Sequence, residues 1–243
     1  MPGGGSPPAL HYQIRPTPSG GFNLQRGAAR AASETPASLI WEFDRDVIVE
    51  VQRQRSDLYF VHAAVLEMHQ RAVAIIAPSG TGKSTLAWAL LHRGFRYLSD
   101  ELAPIDLAQL RVTPFPRALC LKDPPPAPFG LPERTLATDD ALHVSVDLLP
   151  SAVCSDPLLL SSVFFLRRDP GCSVPNVTRL DAADAAQRVY VNSLNPLAHD
   201  SAGLTGAIRV ASGCSCYELM SADPASTAAL VSATVRSMQH PTS

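Results

Sequence analysis

Residues 77–85 read APSGTGKST, and this run limits what the chain can fold into more than any other segment. Before it, residues 73–76 (VAII) form a short apolar run typical of a buried strand. After it, leucine and alanine recur at helical spacing as far as Gly94, a residue that commonly ends a helix. Gly80 and Gly82 lack Cβ atoms, so the backbone can turn tightly between the strand and the helix. The run therefore predicts a strand, a tight turn and a helix in immediate succession.

The residue types in this turn suit a nucleoside triphosphate, with ATP and Mg²⁺ as the expected ligands. A strand, a glycine turn ending in Lys-Ser and a helix make the phosphate-binding loop of P-loop enzymes. In such a loop Lys83 reaches the β- and γ-phosphates and the Ser84 hydroxyl holds Mg²⁺. The usual spacing of this motif places a glycine where this chain has Ala77. The alternative interpretation of the segment is a glycine-rich turn that binds no ligand. The predicted nucleotide-binding residues are Ser79, Gly80, Thr81, Gly82, Lys83, Ser84 and Thr85.

Composition argues against several classes of protein. Hydrophobic residues make up 46% of the 243 residues, which is enough for a sizeable core. The net charge is −2 and no block of basic residues occurs, so nucleic acid is not expected as the main partner. The five cysteines lack metal-ligand spacing and favour reduced thiols. Because no apolar stretch approaches membrane-spanning length and no signal region opens the chain, we expect a cytoplasmic protein without a membrane partner.

The pattern along the chain predicts an α/β fold with frequent strands and few helices. Residues 1–36, rich in glycine, proline, serine and alanine, are predicted to be a flexible leader, and residues 37–240 a single nucleotide-binding domain. The predicted strands are 39–43, 47–51, 59–68, 71–77, 95–98, 112–121, 144–148, 162–167 and 208–220. The pair at 59–68 and 71–77 is expected to form a hairpin that turns at His69 and Gln70. The predicted helices are 84–94, 182–194 and 225–238. The sheet is expected to be mixed or largely antiparallel, not regularly doubly wound.

Residues 61–106 resemble HPr serine kinase/phosphorylase and its relatives, which share a fold with phosphoenolpyruvate carboxykinase. Four features occur in the same order: Val-His-Ala on a strand, the loop, a helix ending in Arg-Gly, and a strand running into Ser-Asp-Glu. The continuation PFPRALCLK, residues 114–122, is similar to a branch found beside peptide-modification genes, which includes kinases of lasso-type precursor peptides. The resemblance covers about residues 59–122 and implies a P-loop kinase core of this type.

The resemblance also implies roles for individual side chains. Asp100, at the end of a strand expected beside the strand of the loop, would be the catalytic base, and Glu101 would share Mg²⁺ with it. His62 would lie near the transferred phosphate, while Arg117 and Lys122 would clamp phosphate oxygens. The predicted catalytic residues are thus His62, Lys83, Asp100, Arg117 and Lys122, and the predicted metal ligands are Ser84, Asp100 and Glu101. The alternatives are a turn cap for Asp100 and a core position for His62. For Glu101, Arg117 and Lys122 the alternative is a solvated surface charge.

Two departures from the family pattern narrow the expected activity. Asp100-Glu101 stands where HPr kinases carry paired aspartates, and the later Glu-x-Arg-Gly-x-Gly signature is absent. HPr recognition and a reverse phosphorylase activity are therefore not predicted. The sequence favours an ATP-dependent kinase that phosphorylates a serine of a protein or peptide. A kinase of small-molecule alcohols and a nucleotide-binding sensor or scaffold without turnover are the alternatives, and a homo-oligomer is implied only by the hexamers of HPr kinases.

Overall fold

The structure is a computed structural model that describes residues 10–138 and 140–238. The chain divides into two compact units, with the boundary between Ser56 and Asp57. No helix in the described ranges is long and apolar enough to cross a membrane. Each unit has its own arrangement of strands and helices.

The N-terminal unit is a three-stranded antiparallel sheet followed by a helix. Its elements are β1 (Gln13–Pro16), β2 (Phe22–Arg26), β3 (Ala29–Ser33) and α1 (Pro36–Gln54). Gly27 has a φ of +56°, which lets the chain reverse in two residues between β2 and β3. A capping box starts the helix: Ser38 N donates to Thr35 Oγ1 and Thr35 N donates to Ser38 Oγ, both at 3.1 Å. The strands and the helix therefore begin and end at residues suited to those places.

This unit differs from the sequence-based expectation in two ways. The two strands predicted between residues 39 and 51 are wrong, because helix α1 covers that stretch. Its β-branched run suggested strands, but Leu39, Phe43 and Val47 are four residues apart and share one helix face. The predicted leader contains β1, β2 and β3, and the unit boundary lies after Ser56 instead of at residue 36. Residues 1–9 of that leader and 239–240 of the predicted domain lie outside the described residues.

The C-terminal unit contains a large sheet, a small sheet and four helices within the described residues. In chain order its first elements are β4 (Tyr59–Val61), β5 (Ala64–Met68), β6 (Arg71–Ile76), α2 (Lys83–Leu91), β7 (Arg96–Ser99), β8 (Ala103–Asp106), β9 (Arg111–Val112), β10 (Leu119–Leu121), β11 (Leu136–Ala137) and β12 (Leu142–Val144). The remaining ones are β13 (Leu158–Arg168), β14 (Asn176–Arg179), α3 (Ala182–Val191), α4 (Leu204–Gly213), β15 (Ser215–Ser221) and α5 (Pro224–Ser237). Short 3₁₀ turns occupy Val146–Leu148, Pro196–Ala198 and Asp200–Gly203.

Strand β13 lies in the middle of the nine-stranded sheet. It pairs in parallel with β6 along one edge and with β15 along the other, and its first residues pair with β9. The other pairings in this sheet are antiparallel and join β4 to β8, β8 to β9, β6 to β5, β5 to β7 and β15 to β14. Strands β10, β12 and β11 form the small antiparallel sheet. The prediction of a mixed α/β fold is confirmed.

Strand β6 is buried on both faces and leads directly into the glycine turn. Its residues alternate between the two hydrophobic clusters of the core, Ala74 in one and Ile75 in the other. Helices α2 and α5 contribute to one cluster, and α3 and α4 to the other. Burial on both faces explains why the strand is a continuous apolar run in the sequence. His69 and Gln70, with φ of +54° and +62°, form the predicted hairpin turn before it.

The predicted strand at 208–220 is only partly correct. Helix α4 extends to Gly213, and the strand β15 begins at Ser215. The buried residues of α4 are Gly206, Ala207, Val210 and Ala211, a spacing that belongs to a helix face. With α1 and α4, the described residues hold five α-helices where the sequence predicted three.

Candidate functional site

The turn at 77–82 connects β6 to α2, as the sequence predicted. Gly80 and Gly82 have φ of +82° and +103°, conformations that favour glycine over any residue with a side chain. Gly82 precedes the helix, and its carbonyl accepts the first helical bond from Leu86 N at 2.9 Å. The N–H groups of the first helical turn have no partners within the helix, so they are available to an anion.

Lys83, the first residue of α2, is directed into a group of polar side chains. Only 4% of its side chain is exposed. Its Nζ donates to Glu101 Oε1 at 2.7 Å, and it lies 3.2 Å from His62 Nε2 and 3.6 Å from Asp100 Oδ1. A buried ammonium requires such partners, because desolvation would otherwise favour its neutral form.

Asp100 is the most deeply buried charged group of the site, with 1% of its side chain exposed. Its Oδ2 accepts a hydrogen bond from Ser84 Oγ at 2.8 Å. The sequence led us to expect that the strand before Asp100 lies beside β6, and this is wrong, because β5 lies between β6 and β7. The carboxylate nevertheless reaches the first turn of α2 from the end of β7. The hydroxyl and the carboxylate predicted to hold a metal ion are therefore adjacent.

Glu101 is held in a backbone conformation that is uncommon for its residue type, with a φ of +74°. Its carboxylate is 39% exposed and lies between Lys83 and His62, with Oε2 at 2.5 Å from His62 Nε2. Burial alone would raise the pKa of Glu101, but the hydrogen bond with His62 and the charge of Lys83 outweigh it and lower the pKa to about 2. This side chain is therefore a carboxylate at neutral pH.

His62 follows β4 and lies at the edge of the site. Its backbone N donates to Asn192 O at 2.8 Å, which fixes the chain at this point. The imidazole is partly exposed and contacts Glu101 and Lys83. The alternative of a core histidine does not describe this position, because the ring faces charged groups. We name the five side chains His62, Lys83, Ser84, Asp100 and Glu101 the Lys83 cluster.

A hollow of about 230 Å³ opens on one side of this cluster. We name it the first hollow, and its lining includes Lys83, Ser84, Thr85, Glu101, Lys122 and Arg168. Lys122 Nζ donates to Ser79 Oγ at 3.2 Å, which joins the loop to the segment after β10. Lys83 and Lys122 are the chain's two lysines beside eighteen arginines, and both line this hollow.

A second hollow, of about 290 Å³, adjoins the first. The two share lining residues, namely Gly82, Thr85, Asp123 and Arg168. Thr81 lines the second hollow, and Ser79 and Gly80 line the first. All seven predicted nucleotide-binding residues therefore border one hollow or the other.

The structure separates the two basic residues predicted for phosphate binding and adds a third. Lys122 borders the first hollow, whereas Arg117 is not among the described residues that line either hollow, and its carbonyl accepts a hydrogen bond from Tyr97 at 3.1 Å. Arg168, at the end of β13, borders both hollows, and its side chain makes no hydrogen bond or ion pair within residues 10–138 and 140–238. The parallel pairing of β13 with β6 places it beside the loop. In the sequence, Arg168 is the second of two arginines at the end of an apolar run, which predicts the end of a strand. The sequence does not show that this strand pairs with β6, so Arg168 was not predicted to lie at the site.

The oxygen atoms of the Lys83 cluster suit Mg²⁺ when the ion is shared with a ligand. Ser84 Oγ and Asp100 Oδ2 are the hard donors that this ion prefers. No group of three histidine, cysteine or acidic residues that could hold a metal ion by itself occurs among the described residues. Magnesium commonly takes one or two protein ligands and completes its shell with water and substrate phosphates. These residues therefore fit a magnesium ion that arrives with a phosphate ligand.

Comparisons with known proteins add little to this geometry. No family model matches the chain, and no curated protein is similar to it. Among solved structures, the Hpr(Ser) kinase/phosphatase from Coxiella burnetii aligns over 74% of this chain and 98% of that chain, with 13% identical residues and a TM-score of 0.35. A TM-score this low does not establish a common fold.

Proposed function

We propose that this chain is an ATP- and Mg²⁺-dependent serine kinase of the HPr-kinase-like type, which transfers the γ-phosphoryl group to a serine hydroxyl of a protein or peptide. One observation carries the proposal. The Lys-Ser pair at the start of α2 contacts two adjacent carboxylates, Asp100 and Glu101, beside an open hollow. Phosphoryl transfer needs cations for the phosphates, oxygen ligands for Mg²⁺ and a carboxylate for the acceptor hydroxyl, and this arrangement contains all three.

The cationic side chains would bind and orient the triphosphate. Lys83 leaves Glu101 for the β- and γ-phosphates, because the phosphates bring more negative charge than one carboxylate. Lys122 closes over the loop from its contact with Ser79, and Arg168 approaches from β13. Each cation neutralises charge that spreads over the phosphoryl oxygens during transfer.

Two oxygen ligands would hold the metal ion. Ser84 Oγ, which donates to Asp100 Oδ2 in this structure, and the Asp100 carboxylate would be the protein groups that hold Mg²⁺. Bound Mg²⁺ would neutralise the charge of the phosphates during transfer. The burial of Asp100 keeps this carboxylate in place before the nucleotide arrives.

A carboxylate of the cluster would accept the proton of the serine hydroxyl. The serine oxygen forms a bond to the γ-phosphorus, the bond to the β-phosphate oxygen breaks, and ADP leaves. The sequence assigns the base to Asp100, and the structure offers Glu101 as a competitor because its carboxylate is the more exposed. The similarity of residues 114–122 to kinases of precursor peptides supports a peptide acceptor, for which peptides encoded by neighbouring genes are the first substrates to test.

The two lysines offer a direct test of the triphosphate site. Acylation by an amine-reactive reagent, read by mass spectrometry, should label Lys122 and more slowly the buried Lys83. We expect Mg-ATP to slow the labelling of both, because their ammonium groups would contact phosphate. Labelling unchanged by millimolar Mg-ATP would contradict the site. Protection without transfer to any peptide or small alcohol would favour a nucleotide-binding module without turnover.

A further inference from the structure

The two hollows meet at the first turn of α2, and this meeting point determines where a bound nucleotide can extend. Lys83 and Ser84 border the first hollow, whereas Leu86 borders the second and Thr85 borders both. If the β- and γ-phosphates lie against Lys83, the remainder of the nucleotide must leave the loop past Thr85. The second hollow lies directly there, and its volume is near the lower end for small-molecule clefts.

About half of the residues that line the second hollow have apolar side chains. Side chains without hydrogen-bonding groups come from α2, the proline-rich loop, β13 and the start of α5. They are Leu86, Pro124, Pro126, Leu166, Ala222 and Pro224. Apolar side chains can pack against the face of a base without identifying its edge, because hydrophobic contact is non-directional.

The polar groups of β15 and α5 in this lining are already engaged within the protein. Ser221 Oγ donates to Arg167 O at 3.0 Å. Thr227 Oγ1 donates to Asp223 O at 2.7 Å and accepts a hydrogen bond from Ala222 N at 3.1 Å. A base packed against β15 and α5, away from the phosphate end, would therefore find few side-chain groups able to distinguish adenine from guanine or cytosine.

Four other polar residues of this lining, Thr81, Thr85, Asp123 and Arg168, belong to the loop or border both hollows, and Asp123 is the one carboxylate among them. Its exposed carboxylate borders both hollows and makes no hydrogen bond or ion pair within residues 10–138 and 140–238. A carboxylate only accepts hydrogen bonds, so it suits hydroxyl groups and repels phosphates. In other nucleotide sites, carboxylates accept hydrogen bonds from ribose hydroxyls. The position between the phosphate end and the apolar walls is where the ribose of a nucleotide would lie.

We propose that the second hollow binds the nucleoside part of the donor, that Asp123 accepts hydrogen bonds from its ribose hydroxyls, and that the base is accepted with little selectivity. This inference rests on the proposed function of the first hollow. The expected substrates are ribonucleoside triphosphates with any base. They should bind more tightly than their dideoxy analogues, which lack the ribose hydroxyls that contact Asp123.

Calorimetric titrations with Mg²⁺ complexes of ATP, GTP, CTP, 2′,3′-dideoxy-ATP and tripolyphosphate test the proposal. The wild-type protein should bind ATP, GTP and CTP within about tenfold of one another and dideoxy-ATP roughly tenfold or more below ATP, the size expected for hydrogen bonds to a charged acceptor. Asp123→Ala should bring ATP down to the affinity of dideoxy-ATP and leave tripolyphosphate binding equal to or tighter than in the wild type. Glu133→Gln, an exposed acidic position on the same proline-rich segment, is the matched control.

The outcomes separate this inference from the proposed function. If Lys83→Ala binds ATP and tripolyphosphate as tightly as the wild type does, the triphosphate site itself is wrong, and the inference falls with it. If ATP binding depends on Lys83 but the preference for ribose survives Asp123→Ala, the role of Asp123 is wrong. Rejection of GTP or CTP by more than about a hundredfold would overturn the lack of base selectivity. Because Asp123 is exposed, its removal should leave the melting temperature unchanged.

Discussion

The molecule contains two clusters of charged side chains that are built differently. In the N-terminal unit, Arg26 donates to both oxygens of Asp46, at 2.6 and 3.1 Å, and forms an ion pair with Glu50 at 2.9 Å. Tyr12 donates to Asp46 at 2.8 Å, and Arg53 pairs with Glu50 at 2.8 Å. We name this group the Arg26 cluster. It joins β2 to α1, its backbone conformations are ordinary, and its charges balance.

In the Lys83 cluster the charges do not balance and the backbone of one residue is strained. One buried lysine lies between two carboxylates, the backbone of Glu101 has a positive φ, and an unpaired cation, Arg168, borders the same hollow. Strained conformations persist where the surrounding structure enforces them, and they collect at functional sites. The comparison indicates that a cluster serving stability pairs its charges internally, whereas the Lys83 cluster keeps charges available to a ligand.

The largest effect on phosphoryl transfer is expected when Asp100, in the Lys83 cluster, loses its charge. Asp100→Asn keeps the shape and loses the negative charge, so phosphoryl transfer should fall by about 10²–10⁴ while nucleotide binding survives, since general-base roles are of that size. Radiolabelled phosphate transfer and a binding titration on the same preparation measure both. Glu101→Gln is the paired variant. A larger loss of transfer in Glu101→Gln than in Asp100→Asn would move the base to Glu101.

A smaller loss is expected from Arg168→Ala. Removing one cation that faces the transferred group should lower kcat by about 10²-fold, in the range found for single stabilising donors. Arg167→Ala is the matched control, because the preceding arginine points towards Glu218, with an N–O distance of 3.4 Å. Equal rates for the two variants would show that Arg168 does not contact the phosphates.

Arg26→Ala should affect stability and leave nucleotide binding intact. The substitution removes a bidentate pair and leaves Asp46 and Glu50 with fewer partners, so the free energy of unfolding is expected to fall. Chemical denaturation followed by circular dichroism measures it. The described residues that line the two hollows all belong to the C-terminal unit, so the ATP affinity should not change. A tenfold weaker affinity would contradict the separation of roles.

The smallest effect concerns the acid stability that Glu101 contributes. Its pKa of about 2 lies below the ordinary value of 4.5, so its stabilising contribution is complete above pH 4.5 and is lost as the pH falls towards 2. The difference in melting temperature between the wild type and Glu101→Gln should therefore shrink over that interval. Asp46, whose pKa the hydrogen bond from Arg26 lowers, titrates in both proteins and cancels. If the difference in melting temperature is constant from pH 5 to pH 2, the ion pair between Glu101 and Lys83 does not contribute to stability.

The local sequence pattern was sufficient to predict the hairpin turn at His69 and the glycine turn. The sequence motifs also predicted that Lys83, Ser84 and Asp100 lie together. The local pattern failed for α1 and α4, where runs containing β-branched residues resembled strands. It also could not show that β5 separates β6 from β7, because pairing between distant strands leaves no local trace. Arg168 and Asp123 were missed for the same reason, since only the folded chain brings them beside the loop.

Calorimetric titration of Mg-ATP into the wild type and Lys83→Ala tests the central claim most directly. Arg93→Ala, an exposed position near the other end of α2, is the control for a change of charge on the same segment. We expect the wild type and Arg93→Ala to bind Mg-ATP with equal affinity, and Lys83→Ala to bind about 10²-fold more weakly or not at all, since it loses the charge that faces the β- and γ-phosphates. Equal affinity in all three proteins would show that the loop at 77–85 does not bind the triphosphate.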